Sequence, residues 1–482
     1  MATPIDLPAL RRVLIPSLLA LVASAAFAEE PPGPAPEAEV VAPAEPAVAP
    51  PPPAAPAAAN TFAPERRVDL HARRVRTAPD AKATLRAMLA AGEAFDVDAR
   101  SAPTPGCDKE GWGRVAPDAW VCLDGTVVTT QAPRALPALL PFDPPLPSEA
   151  KDYLATRAWP RDPASSAVPI LPFIYAKDRA RFSGDDYVSL DAFLAGAPHH
   201  HVDTTRKLAF AELIDTEKGP VLRRASGHVV PLDAVWVYPV SRFHGVDLAA
   251  TPAPDGTVPG WTNAPAGTAV YAAPEAAGEP AWTLPFQGQV WVTESSEHAG
   301  WLQVRDPSGA NADGWVPAKA PMHWWRDLTP PKGVDDAVWV DVDLDQNVLA
   351  LRQGAALTFV TMVSTGVPDH ETLPGVFRMM DKAAWWDMAS LPGSDEAYHV
   401  ENVPWTMHFF PRFALHGAFW HDEFGSVISH GCVNLAPLDA ATVFGAVHPI
   451  AYPGWWTTYA TAADPGSVVR VRQGQTAPRD RR

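Results

Sequence analysis

At 482 residues the chain is too long for one ordinary hydrophobic core, and roughly 100 to 200 residues per domain divides it into about two to four units. Its formal charge of −17 at pH 7 excludes the basic footprint that nucleic-acid binding requires, so no nucleic-acid partner is expected. Past the N-terminal segment no stretch is long and apolar enough to span a bilayer, and no transmembrane anchor is expected.

Residues 1–28 have the three parts of a cleavable secretory signal: Arg11 and Arg12, an apolar run from Val13, and the small-x-small site Ala26-Phe27-Ala28. Pro16 interrupts the run, which is shorter than the ~20 residues of a spanning helix, so the expectation is export with a mature start near Glu29. No cysteine stands beside that site to take a lipid. Residues 29–66 follow as a Pro/Ala-rich linker, a composition that favours extended polyproline and offers no patterned face to bury. It reads either as a tether or as a structureless remnant.

Two later stretches, 67–135 and 256–322, are diverged copies of each other. Val75-Arg76-Thr77-Ala78-Pro79-Asp80 answers to Val270-Tyr271-Ala272-Ala273-Pro274-Glu275, Phe95 and Val97 to Val290 and Val292, Trp112 and Val115 to Trp301 and Val304, and Trp120-Val121 to Trp315-Val316. Short alternating runs broken by Gly, Pro and Asp predict strands and turns, and a small barrel suits both copies. They resemble bacterial SH3-like domains, whose copies commonly end in a Gly-Trp strand such as Gly300-Trp301 and Gly314-Trp315. Three cysteines in an exported chain suggest one pair and one free thiol. Cys107 and Cys122 lie close enough in sequence for a hairpin to join them in a disulfide, leaving Cys432 free.

Between the copies, residues 136–255 hold strand-like runs (VPILPFIYA, KLAFAELI, HVVPLDAVWVYPV) with no pattern tied to chemistry, and read as a β-rich region of unassigned role. The run His199-His200-His201 is read as a solvated loop, because consecutive residues do not readily face one ion; no metal and no cofactor is expected. Residues 335–472 alternate like paired strands, with a helix signal confined to Pro437–Val447, and 473–482 form a tail.

Within HGAFWHDEFGSVISHGCVNL stand His416, His421, His430 and Cys432. A thiol attacks only as thiolate, and a nearby imidazole can accept its proton; His416 or His430 would serve. Zinc ligation uses the same side chains but lacks a paired Cys or His knuckle. A buried inert cysteine is the strongest competitor. Gly431 weighs against it, since a glycine before the thiol suits an exposed turn better than a core strand. His421 lies in a lid or faces water, and water is the favoured reading. Phe419 and Trp420, with Trp385-Trp386 upstream, form a lid or simply pack the core.

His416, a spacer, and Ser429-His430-Gly431-Cys432-Val433-Asn434 resemble the signature of the L,D-transpeptidase catalytic domain. The likeness extends to Val363-Ser364-Thr365-Gly366 with Thr372-Leu373-Pro374-Gly375-Val376-Phe377, to an opening strand Asp341-Val342-Asp343-Leu344 with Gln346, and to a closing one Pro465-Gly466-Ser467-Val468-Val469. It implies a mainly β protein, with a transpeptidase-type β-sandwich at the C-terminus preceded by small SH3-like barrels. It implies further that Cys432 is acylated by a peptidoglycan stem peptide at its diaminopimelate–D-alanine bond and passes the acyl group to an amine of a second stem or an envelope protein. His416 matches the general base, and His430 with Gly431 the turn that supplies orientation and backbone donors. Ser429 and Asn434 support that turn, Asn434 at the substrate side, and Trp405 and Met407 fall where the family lines its donor pocket. Transfer to water instead would make a carboxypeptidase or amidase with the same residues. A wall-binding scaffold with a degenerate site would show a broken motif or a lost His416, and neither is seen. The location implied is the periplasm or cell envelope.

Overall fold

The computed structural model describes residues 65–137, 171–178, 185–198, 200–201, 206–274, 278–294, 300–335, 337–390 and 398–474. The expected signal, nearly all of the spacer, residues 138–170, His199 and the tail beyond residue 474 lie outside the described residues. What is described is mainly β, with short strands throughout and helices at Leu190–Ala195 and Pro437–Ala446.

The two sequence copies share one pairing register. In the first, Arg76 pairs with Trp120, while Gly113 and Arg114 on the next strand face Val121 and Trp120. In the second, Tyr271 pairs with Trp315, while Leu302 and Gln303 face Val316 and Trp315. Matching positions fill both cores: Val75, Phe95, Val97 and Val121 in one, and Val270, Val290, Val292 and Val316 in the other. Side chains two apart on a strand share a face, so conserving this spacing conserves which residues reach the core. A disulfide joins Cys107 and Cys122, whose Cα atoms lie 5.6 Å apart.

The C-terminal domain is a sandwich. One sheet carries Val338–Asp343, Val348–Gln353, Ala356–Met362 and Val468–Arg472; the other carries Asp381–Ala389, His399–Phe410 and Trp455–Tyr459. Val340, Val342, Leu349 and Phe359 from the first meet Val403, Met407, Phe409 and Leu415 from the second across the core. The opposite face of Val338–Asp343 is buried too, and there the parallel register sets Asp341 beside Arg470 and Asp343 beside Arg472. Arg470 Nε donates to Asp341 at 2.8 Å and Arg472 donates to Asp343 at 2.8 Å. Buried charges persist only when paired, so these ladders hold the opening strand to the closing one.

Residues outside the sandwich extend its sheet on both sides. The strand Arg206–Phe210 pairs in parallel with His399–Phe410, setting Lys207 beside Val400. On the other side Leu85–Leu89 of the first copy pairs with Trp455–Tyr459, Ala87 opposite Thr458. One sheet therefore runs from the middle region through the sandwich into the first copy.

Candidate active site

Two short parallel strands bring the motif residues together. Phe413–Gly417 pairs with Val433–Leu435, setting His416 beside Asn434 and Leu415 beside Val433. Asn434 also exchanges both backbone hydrogen bonds with Ser364, at 2.8 and 2.9 Å, so the Val363–Gly366 segment singled out in the sequence lies against the strand that follows Cys432. Thr365–Gly366 then pairs with Val427–Ser429.

The turn between Ser429 and Cys432 is built by a hydroxyl and a glycine. Ser429 Oγ donates to the Cys432 carbonyl at 2.6 Å and accepts from the Gly431 N–H at 3.2 Å. Gly431 has φ +109°, a conformation side chains rarely adopt, and a Cβ there would meet the Phe413 ring at 2.9 Å. Glycine is what permits the chain to turn here. The Gly431 amide is engaged within the turn by Ser429 Oγ.

Cys432 is half-buried and free, with Sγ 3.8 Å from the Arg412 carbonyl oxygen. Burial pushes its thiol up from the ordinary value. His416 is 2 % exposed, and burial pushes it down to about 4. Its Nδ1 faces the Gly417 carbonyl oxygen at 3.4 Å, a contact that puts the ring proton on Nδ1 and leaves Nε2 as acceptor. At neutral pH the cleft therefore holds a neutral thiol and a neutral imidazole. This is the starting state for general-base removal of the thiol proton rather than a preformed ion pair.

These groups line a cleft of about 530 Å³ that also takes in Ser429, His430 and Asn434. Sequence reasoning missed other lining residues. His370, from the loop before Thr372, has its ring 4.9 Å from the His430 ring, and the Tyr398 ring, just before the strand His399–Phe410, lies 5.6 Å from it. Arg412 lines the cleft from a two-residue turn, at φ +69°, and Lys207 lines it from the middle region. Pro411-Arg412 between the aromatic strands was the one visible turn signal.

Two expectations are corrected. Trp405 and Met407 do not line the cleft: they are 4 % and 0 % exposed in the sandwich core, because both faces of their strand are covered. Trp405 instead packs against the backbone next to His416, close enough to Gly417 that a Cβ there would lie 3.1 Å from its ring. His421 does not face water. It is 6 % exposed, and burial pushes it down to about 3. Its Nδ1 accepts from the Glu423 N–H at 3.3 Å, and its Nε2 lies 3.0 Å from Asn434 Nδ2. Of the aromatics read as lid or core, Phe419 is fully buried and stacked on Tyr175, while Trp420 faces the cleft.

Residues 337–471 match the family model of the L,D-transpeptidase catalytic domain, YkuD. The chain carries an L,D-transpeptidase catalytic domain. No curated protein matches the chain. Similar solved structures include the catalytic domain of an Enterococcus faecium L,D-transpeptidase, at 20 % identity over 29 % of this chain and 100 % of that one, with a TM-score of 0.23. An L,D-transpeptidase from Mycobacterium smegmatis is 18 % identical over 38 % of this chain and 99 % of its own, with a TM-score of 0.24. L,D-transpeptidase 3 from Mycobacterium tuberculosis, solved with a faropenem-derived adduct, is 17 % identical over 34 % of this chain and 74 % of its own, also at 0.24. The family model alone carries the assignment. The transpeptidase domain so matched contains Cys432, His416 and the turn between them, while Lys207 lies outside it.

Proposed function

We propose that this chain is an exported peptidoglycan L,D-transpeptidase whose nucleophile is Cys432. The reading rests on one observation: within the matched transpeptidase domain, a free thiol and a buried neutral imidazole face one cleft across paired strands. His416 Nε2 takes the thiol proton as Sγ adds to the carbonyl carbon of the diaminopimelate–D-alanine bond. The C–N bond then breaks, D-alanine leaves with that proton, and a thioester remains. An acceptor amine adds to the thioester, returns a proton through His416 and displaces the sulfur. Splitting one amide exchange into two steps lowers each barrier, provided the acceptor is held in place of water.

Ser429, His430 and Gly431 orient the thiol, and Asn434 holds the strand beside the base through Ser364 and His421. The two copies at 67–135 and 256–322 serve as SH3-like modules that keep the enzyme on the wall, with residues 1–28 directing export to the periplasm. Among the described residues no helix is long and apolar enough to cross a membrane. Intact-mass spectrometry after incubation with a carbapenem tests the nucleophile. One covalent adduct on the wild type and none on Cys432→Ala is expected. No adduct on a folded protein with a free thiol overturns the assignment and favours a wall-binding role. Product analysis on tetrapeptide stems then separates transfer to an amine from transfer to water.

A further inference from the structure

The transpeptidase cleft is not built by the transpeptidase domain alone. Lys207 lines it together with Cys432 and His416, yet it belongs to the strand Arg206–Phe210 of the middle region, to which the sequence assigned no role. Its parallel pairing with His399–Phe410 sets it beside Val400, itself a lining residue. Its Nζ lies 5.7 Å from the centre of the Trp420 ring, and Trp420 lies 5.6 Å from the His416 ring. A chain of contacts thus links this ammonium to the base.

Two features mark the ammonium as a binding group rather than a structural one. Among the described residues no carboxylate lies within ion-pair distance of it, although Asp369 and Glu371 line the same cleft. Its cross-strand partner is Lys177, so two like charges stand directly opposite each other, an arrangement that costs stability. Lys177 is held over Trp236, 5.1 Å from the ring centre, which steadies it without neutralising Lys207. A half-buried cation with a like-charged neighbour and no counter-ion gains most from an anion delivered into the cleft.

We propose that Lys207 is a specificity-determining residue that binds a carboxylate of the stem peptide, and that the middle region completes the substrate site. The inference rests on the transpeptidase reading above. The full chain is assayed with a tetrapeptide stem ending in diaminopimelate–D-alanine and with two versions of it, one amidated at the D-alanine carboxylate and one at the diaminopimelate carboxylate. A charge-assisted hydrogen bond corresponds to about a ten- to hundredfold change in affinity. The wild type should show that rise in KM for one amidated peptide, with kcat retained, and the arm that rises identifies the carboxylate. Lys207→Met should raise KM for the free acid to the level of that amide and leave the amide's own KM unmoved; Lys207→Arg should keep the preference. Alkylation of Cys432 by neutral iodoacetamide at the wild-type rate shows that the variant cleft is intact. Equal KM for all three peptides on the wild type, or an equal rise for all three in Lys207→Met, overturns the role of Lys207 and leaves the transpeptidase reading standing. No turnover of any stem by a wild type whose Cys432 alkylates normally overturns both.

Discussion

On the proposed mechanism, the resting charge state of the Cys432–His416 pair sets how the reaction starts, and pH exposes it. Burial pushes the thiol up and His416 down to about 4. An ordinary thiol, with a pKa of about 8.5, is about 3 % ionised at pH 7, and the upward shift holds Cys432 below that. Iodoacetamide reacts with the thiolate, so its rate constant should fall about tenfold for each unit from pH 8 to pH 5. His416 stays neutral across that window and adds no inflection until about pH 4. An ion pair formed at rest would give the opposite profile, since the thiolate would already be present and the rate would be flat. Cys107 and Cys122 are bonded to each other, so a single added mass on the intact protein reports Cys432, with Cys432→Ala as the blank. A plateau below pH 7 refutes the neutral pair and the general-base mechanism drawn from it.

Gly431→Ala combines φ +109° with a Cβ 2.9 Å from the Phe413 ring; it should cost about 1–3 kcal/mol and slow carbapenem acylation about tenfold or more, read by calorimetry and mass spectrometry. Lys382 donates to the carbonyls of Phe444 and Val447 at the end of the helix Pro437–Ala446, and burial pushes it down to about 7. A folded value below the unfolded one means the unfolded chain holds the proton, so stability should rise from pH 7 to pH 10, by up to ~4 kcal/mol; Lys382→Met should flatten that rise in urea titrations at pH 7 and pH 10. Reducing Cys107–Cys122, which closes a 15-residue separation, should destabilise the first copy by about 3 kcal/mol and leave Cys432 alkylation unchanged, measured by calorimetry with and without reductant.

What was legible in the sequence was local or periodic. The spacing of Trp120-Val121 and Trp315-Val316 gave the shared register of the two copies because a strand's side-chain period is fixed. The Ser429–Asn434 run could be read as a turn because Gly431 stands where a Cβ would collide. Trp405 and Met407 were placed in the donor pocket by family resemblance alone, which carries a position along the chain but not the face it points to, and their strand is buried on both faces. His421 was misplaced because a histidine matching no motif position is more often exposed, whereas here the Glu423 N–H and the distant Asn434 side chain give it the partners that make burial tolerable. Lys207 was invisible for a topological reason: its place in the cleft depends on a parallel pairing with a strand far along the chain, and no short-range pattern encodes such a pairing.

The loop that joins the base to the nucleophile shows why the residues outside the matched domain matter to its chemistry. From within the domain, Asn347 Nδ2 donates to the Gly425 carbonyl at 3.1 Å and Ser364 Oγ to the Glu423 carbonyl at 2.9 Å. From the second copy, Gln287 Nε2 donates to the Asp422 carbonyl at 2.8 Å and Asn263 Nδ2 to Ser426 Oγ at 3.3 Å. From the middle region, Ser241 Oγ donates to the Asp422 carboxylate, which burial pushes up to about 6. Proton transfer from Cys432 to His416 depends on their separation at a scale where an error of about 1 Å costs on the order of a hundredfold in rate. His416 lies in Phe413–Gly417, and Cys432 immediately precedes Val433–Leu435, strands of only a few residues each. On the proposed mechanism, the contacts from outside the domain add constraint to the loop between His416 and Cys432, so the second copy and the middle region bear on the geometry of that pair.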